Sequence, residues 1–169
     1  MLVNQVVIAG EVLSANECNG LYELKMKVER PSGEVDEIDI LSHDKLFGFC
    51  RVYGEVRSRQ EHGLRPYVFA EELEKSDEEY INEGIIEGYI CQKPFYKKLR
   101  TREVTAFMIA VDGKRTYYIP AVCWGKTARR VRDYEEGRKV VIKGRCQTRH
   151  YLKGSEDKLA REISAYDVI

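Results

Sequence analysis

The two halves of this 169-residue chain repeat one another. Asn4-Gln5-Val6-Val7-Ile8-Ala9-Gly10-Glu11-Val12 lies over Asn82-Glu83-Gly84-Ile85-Ile86-Glu87-Gly88-Tyr89-Ile90 at an offset of 78. Residues 22–28 lie over 105–111 at an offset of 83, and Gly54-Glu55-Val56-Arg57-Ser58-Arg59 over Gly144-Arg145-Cys146-Gln147-Thr148-Arg149 at 90. The matches keep their order while the offset grows. That is one unit built twice, with longer loops in the second copy. It predicts two domains, 1–75 and 82–169, joined through the charged stretch Glu74-Lys75-Ser76-Asp77-Glu78-Glu79.

Each unit reads as mostly β. Tyr22, Leu24, Met26 and Val28 alternate with charged residues, the period of a half-buried strand. Val140, Ile142 and Cys146 alternate in the same way with Lys139, Lys143 and Arg145. Gly10, Gly54, Gly88 and Gly144 interrupt strand patterns, as glycines do at bulges and barrel corners. A short helix is expected between the third and fourth strands of each copy: around His43-Asp44-Lys45-Leu46-Phe47 in the first, and over 126–134 in the second with Gly137 as its C-terminal cap. Strand, strand, strand, helix, strand, strand is the order of an OB-fold, a five-stranded Greek-key barrel. An SH3-like barrel is the competitor, and the helix favours the OB-fold. The predicted fold is all-β: two tandem OB-folds.

Net charge is zero, but it is split. Residues 1–78 carry nine Lys+Arg against sixteen Asp+Glu, and residues 79–169 carry nineteen against twelve. A basic module is the footprint of a polyanionic partner. Complementary charge between two packed modules is the other reading, and the two are compatible. Cys18, Cys50, Cys91, Cys123 and Cys146 stand singly, without a Cys-x-x-Cys pair, which argues against a zinc ribbon or a disulfide framework. No apolar run approaches bilayer length and no secretory signal opens the sequence. A cytoplasmic protein with reduced thiols and no membrane association is expected.

In the second copy, Phe107-Met108-Ile109-Ala110-Val111, then Tyr118-Ile119-Pro120-Ala121-Val122-Cys123-Trp124-Gly125-Lys126-Thr127-Ala128, then residues 134–145, and then Gln147-Thr148-Arg149-His150-Tyr151 and Ile163-Ser164-Ala165-Tyr166 form a connected pattern. On these residues the second copy resembles the bacterial single-stranded DNA-binding (SSB) family. The resemblance covers nearly all of 82–169; residues 1–75 join it only through the repeat and lack the aromatic-Gly-Lys turn. The resemblance implies a protein that coats single-stranded DNA in replication, recombination or repair. It implies four OB-folds per particle, hence a homodimer of this two-unit chain. The family's linker and acidic, Phe-ending tail are not found after Tyr166-Asp167-Val168-Ile169. Replication or recombination proteins are possible partners. A protein-interaction module, such as a primosome accessory protein, is the alternative function. RNA is not separated from DNA by these features.

Sequence-neutral binding of single strands needs cations for phosphates and aromatic faces for bases. The candidate cations are Lys97, Lys98, Arg100 and Arg102 in the first hairpin loop, beside Phe95 and Tyr96, then Lys139, Lys143 and Arg145 on one strand face, and Arg149. The resemblance places stacking aromatics at Tyr118, Trp124 and Tyr151. Trp124 could equally be core, and Tyr118 a subunit contact. Phe107 reads as core and Arg129, Arg130 and Arg132 as a solvated helix face. Arg57 and Arg59 occupy the repeat positions of Gln147 and Arg149, in an acidic surround.

Three features imitate other chemistry. Gly125-Lys126-Thr127 looks like the end of a P-loop, but the required upstream glycine is Pro120. Asp36, Glu37 and Asp39 resemble a metal site, yet the alternation of Asp39 with Ile38 and Ile40 predicts a solvent-facing strand. His43, His62 and His150 are isolated. Neither an enzyme nor a cofactor is expected.

Overall fold

The computed structural model describes residues 3–169; Met1 and Leu2 lie outside the described residues. It contains eleven strands and one α-helix among those residues. Strands β1 (Asn4–Cys18), β2 (Leu21–Glu29), β3 (Val35–Ser42), β4 (Gly48–Gln60) and β5 (Leu64–Lys75) close a first barrel. The ring runs β1–β2–β3–β5–β4 and returns to β1, with β3 and β5 parallel and the rest antiparallel. The second barrel uses β6 (Ile81–Ile90), β8 (Glu103–Asp112), β9 (Thr116–Trp124), β10 (Lys139–Lys153) and β11 (Glu156–Val168), with helix α1 (Gly125–Val131) after β9. Its ring is β6–β8–β9–β11–β10, again with one parallel pair, β9–β11. A short strand, β7 (Phe95–Lys98), forms a hairpin on β8. These are two OB-folds in tandem.

The barrels are joined edge to edge. β1 and β6 pair antiparallel in register, Asn4↔Ile86 through Ala9↔Ile81. The pair Val6↔Gly84 joins a residue to its own counterpart in the repeat, so an approximate two-fold axis passes between them. A Cβ on Gly84 would stand 2.6 Å from Val6 Cγ1, which is why only one of the two copies carries a side chain there.

Alternation builds both cores. Leu24, Met26 and Val28 fill the first barrel as Phe107, Ile109 and Val111 fill the second, all buried. At the repeated glycines, close approach is what matters. A Cβ at Gly54 would meet the Phe69 carbonyl oxygen at 2.1 Å, and one at Gly144 the Ser164 oxygen at 2.3 Å. Both sit at bulges, where β4–β5 and β10–β11 shift register. A second repeated device is an asparagine clamp. Asn4 Oδ1 accepts from Val56 N–H (2.9 Å) and its Nδ2 donates to Val56 O (2.8 Å). Asn82 does the same to Cys146, at 2.9 and 2.7 Å. Each amide satisfies a backbone pair just where β1 or β6 leaves the ladder.

Three expectations are corrected. No helix forms at 43–47. Only these five residues separate β3 from β4, Ser42 Oγ accepts from Asp44 N–H, and Gly48 follows at φ 80°. So short a span cannot repay helix nucleation. Gly137, at φ 87°, is not the cap of α1; its N–H donates to Ile90 O (2.7 Å) and turns the chain into β10. Neither Asp36 nor Asp39 faces solvent: Asp36 shares the inward parity of Ile38 and Ile40, and Asp39, on the outer face of β3, is covered by Arg161 of the second barrel. Asp36 is fully buried, taking Arg30 Nε at 2.9 Å and Nη2 at 2.7 Å. Asp39 meets Lys25, Arg65 (3.0 Å) and, across the barrels, Arg161 (2.8 Å). Burial pushes the Asp39 carboxyl up, but the Lys25 hydrogen bond and the charges of Arg161, Lys25 and Arg65 outweigh it and hold the group below its usual range.

Two predictions follow from these contacts. Asn82→Ala leaves the Cys146 backbone pair without partners and should cost about 1–3 kcal/mol, read by urea unfolding. A carboxylate with a lowered folded pKa stabilises above its unfolded value and ceases to as pH falls through the folded value. Arg161→Met raises that folded value, so acid unfolding should begin at a higher pH.

Candidate nucleic-acid interface

The outer face of β7–β8–β9 follows from register, since directly opposed residues point to the same side. One row is Lys97, Val104, Trp124; the next is Phe95, Ala106, Val122; the last is Ala110 beside Tyr118. Trp124 and Tyr118 stand six residues apart on one side of β9, roughly 20 Å at strand rise. Between them the face carries only small or apolar side chains: Ala106, Met108, Ala110, Pro120 and Val122. Tyr118 is 47% exposed and Phe95 68%. Phe95 belongs to this face. Sequence reasoning placed it beside the basic loop but missed its role, because β7 is only four residues long and carries no alternation to read.

Trp124 is half-buried at the end of this face, with the Arg102 guanidinium 4.2 Å from its ring centre. Cation–π contact of this kind holds the ring without covering it entirely. Here an open groove of about 450 Å³ begins, lined by Arg102, Trp124, Arg145, Gln147, Thr148, Arg149, His150 and, from the first barrel, Arg30 and Glu34. Four of the sequence-predicted residues meet in it: Arg102, Trp124, Arg145 and Arg149. Arg102 and Arg145 form no ion pair among the described residues; Arg145 Nη2 donates to Gln147 Oε1 (3.3 Å), and its Nε is buried without an acceptor. Arg149 is gripped by Glu162 through Nε (3.2 Å) and Nη2 (3.1 Å), and that hydrogen bond holds its pKa above the ordinary arginine value.

Beyond Arg149 the β10–β11 hairpin runs out as an exposed arm around Gly154, carrying Tyr151 opposite Lys158. Arg149 lies 5.8 Å from the Tyr151 ring centre. Lys97 and Lys98 are exposed on β7, and Arg100 is exposed in the turn that follows. Lys139 stands opposite Tyr89, which stands opposite Ala110 and so continues the row of Tyr118. Lys143 lies between Ile85 and Asp167 on the outer face of the sheet joining the barrels, apart from the groove.

The helix arginines are exposed but not free. Arg129 pairs with Glu103 (2.9 Å), and Arg132 lies over the Tyr96 ring at 4.9 Å. Glu103 in turn accepts from the Tyr96 hydroxyl, whose pKa this hydrogen bond raises. The β7 hairpin is thereby tied to α1.

The first barrel lacks this chemistry. From the parallel pairs Ile40↔Val68 and Ala121↔Ile163, its counterpart of Trp124 is His43. Two residues past Arg59 it carries Glu61, where the second barrel has Tyr151. Its cations are already paired: Arg57 with Glu55 and over Phe69 (3.9 Å), Arg59 with Glu23 and Glu61. No group of His, Cys, Asp and Glu side chains among the described residues could hold a metal ion, and no helix is long and apolar enough to cross a membrane.

A closed Greek-key barrel with aromatics along its third strand, and arginines outside any ion pair just before its second strand and on its fourth, defines an oligonucleotide-binding module. Residues 81–169 match the model of the single-strand binding protein family, and the chain belongs to that family. Among solved structures it is similar to the wild-type single-stranded DNA binding protein from Thermus aquaticus. That match has a TM-score of 0.81 and 16% identity, over 99% of this chain and 92% of that one. A deletion variant of the Thermus aquaticus protein gives 0.79 and 18%, over 99% and 94%. At these identities the likeness is one of fold. No curated protein matches the chain.

The contact between Arg102 and Trp124 can be tested alone. Trp124 is the only tryptophan. Arg102→Ala should shift its emission to the red and increase acrylamide quenching, with little change in unfolding midpoint.

Proposed function

We propose that the chain binds single-stranded DNA largely without sequence preference, through the second of two domains, 82–169, with the first domain, 1–75, completing the assembly. The observation that carries this reading is the meeting of Trp124, clamped by Arg102, with Arg145 in one open groove at the end of an aromatic face, neither arginine being in an ion pair among the described residues. Bases stack on Trp124, Tyr118 and Tyr151. Phosphates meet Arg102, Arg145 and Arg149, with Lys97, Lys98 and Arg100 along the hairpin and Lys139 and Lys143 at the margins. The setting is replication, recombination or repair in the cytoplasm.

The chain acts as a homodimer presenting four barrels. Support comes from the outer face of the continuous sheet β5–β4–β1–β6–β10–β11, where the half-buried Val7, Tyr53 and Val141 and the exposed Ile85 and Ile169 stand among charges of both signs. A pattern of that kind suits pairing with a second copy of itself. Sedimentation equilibrium should give the mass of two chains, and Ile85→Lys should reduce it to one.

The function is tested by titrating the protein with oligo-dT at several salt concentrations while reading Trp124 fluorescence. We expect strong quenching and an affinity that falls with salt, with a log–log slope of about −0.7 per phosphate neutralised. Trp124→Ala and Tyr151→Ala should each weaken binding by about 1–3 kcal/mol. Arg145→Ala should make the slope shallower by about one phosphate. No binding at low salt would refute the reading and leave a protein-interaction module.

A further inference from the structure

Thr148 lies at the base of the β10–β11 arm, between Gln147 and Arg149, yet its polar groups are held by the other barrel. Its N–H donates to Asp36 Oδ1 (2.9 Å), its hydroxyl accepts from Glu37 N–H (3.0 Å), and its carbonyl accepts from Arg30 Nη2 (3.3 Å). Asp36 is fully buried and is itself gripped by Arg30 through two nitrogens. Arg30 is further paired with Glu34. On either side of Thr148, Gln147 Nε2 donates to Glu162 (2.7 Å), and Arg149 makes its two bonds to the same carboxylate. The carboxylate of Asp36 and the carboxylate of Glu162 therefore fix three consecutive residues, and the exposed arm with Tyr151 begins immediately beyond.

The repeat provides an internal comparison. Ser58 is the counterpart of Thr148, and Arg115 of the second barrel donates to Ser58 O (3.2 Å) as Arg30 does to Thr148 O. Tyr117 stands in β9 where Asp36 stands in β3, with the same inward parity as the core residues that follow it. Among the described residues Ser58 N–H makes no hydrogen bond to the Tyr117 side chain, whereas Thr148 N–H is held by the Asp36 carboxylate. The brace is thus strong in one direction only, toward the arm that carries the arginine and the tyrosine. Arg30 lines the groove, but its charge is met by Asp36 and Glu34, so it is poorly placed to neutralise a phosphate.

We infer that Asp36 and Arg30 of the first barrel are positioning residues for nucleic-acid binding by the second: they hold Thr148 so that Arg149 and Tyr151 are presented in a fixed geometry. The inference rests on the single-strand-binding reading above and assigns the acidic half a part in it that needs no contact with the strand. Presenting the arm already ordered lowers the cost of ordering it on binding.

The test is a thermodynamic cycle on the full chain, read with oligo-dT, together with amide hydrogen exchange without DNA. Asp36→Ala should weaken binding about tenfold in the unaltered background, the scale of one lost hydrogen bond to a charged group. The same change should cost less than about twofold when Arg149→Ala and Tyr151→Ala are already present, since there is then nothing left to position. Exchange of the amides in 149–158 should accelerate while those of β8 and β9 stay protected. Thr148→Val, which keeps the buried ion pair, should show the same pattern more weakly and guards against a loss of folding in the Asp36 variant. Equal losses in both backgrounds, or arm exchange unchanged in both variants, would overturn the inference. Failure of the unaltered protein to bind any oligo-dT would instead remove the single-strand reading on which it rests.

Discussion

The antiparallel pairing of β1 with β6 is the constraint on which the rest of the structure depends. Each barrel already closes on itself, and the two are joined where the first strand of each leaves its own ladder. Asn4 and Asn82 mark those points by satisfying the backbone of Val56 and Cys146 with side-chain amides. Once the first strands pair, β4 and β10 flank them in one sheet, and their long hairpins emerge on related sides of the two-fold axis. The axis imposes a steric condition at its centre. Two valines facing each other at Val6 and Gly84 would collide, and a chain carrying both copies can resolve this by changing one of them. A symmetric pair of identical chains has no such freedom.

That freedom extends to the surfaces. The barrels share a skeleton but divide the tasks their outer faces perform. The second keeps aromatics and unpaired arginines. The first replaces the tryptophan position with His43, the arm tyrosine with Glu61, and pairs its arginines with neighbouring carboxylates. The charge split follows from this division in two ways at once. Some of the first half's acid is spent against the second barrel, as Asp36 and Asp39 show. Much of the second half's base remains unmatched. Buried ion pairs add little net stability because desolvation opposes them, so their place in this structure is explained better by geometry: they fix how one barrel sits on the other.

The skeleton was legible in the sequence because its determinants are local and repeated. Period-two alternation gave β2, β8 and β10, and the paired glycines marked the bulges of β4 and β10. The Trp124 position came from the family resemblance, and the repeat aligned Arg149 with Arg59. What was not legible depends on contacts between elements far apart in the chain. Nothing near Asp39 in the chain shows that Arg161 of a second barrel will cover it, so alternation there pointed to solvent. The loop at 43–47 was judged by its counterpart in the repeat, but it is too short to hold one helical turn with its connections. Phe95 lay in a stretch with no alternation, and its face became evident only from the register of β7 on β8. The groove itself belongs to both barrels, and a reading of the second copy alone could not have included Arg30.

The composition of the face also bears on what it can distinguish. Between Trp124 and Tyr118 the outward side chains of β8 and β9 are Ala106, Met108, Ala110, Pro120 and Val122, without a hydrogen-bonding group to meet a base edge. Reading sequence requires donors and acceptors at fixed positions. A strand lying across this surface would find flat, apolar ground for any base and guanidinium groups for its phosphates. The groove's other polar side chains on β10 are engaged within the protein: the Gln147 amide with Glu162, the Thr148 hydroxyl with Glu37 N–H, and the His150 ring with Asp157. Their engagement stiffens the base of the arm and at the same time withdraws them from base recognition. Fixing the site and making it indifferent to sequence are, in this barrel, the work of the same hydrogen bonds.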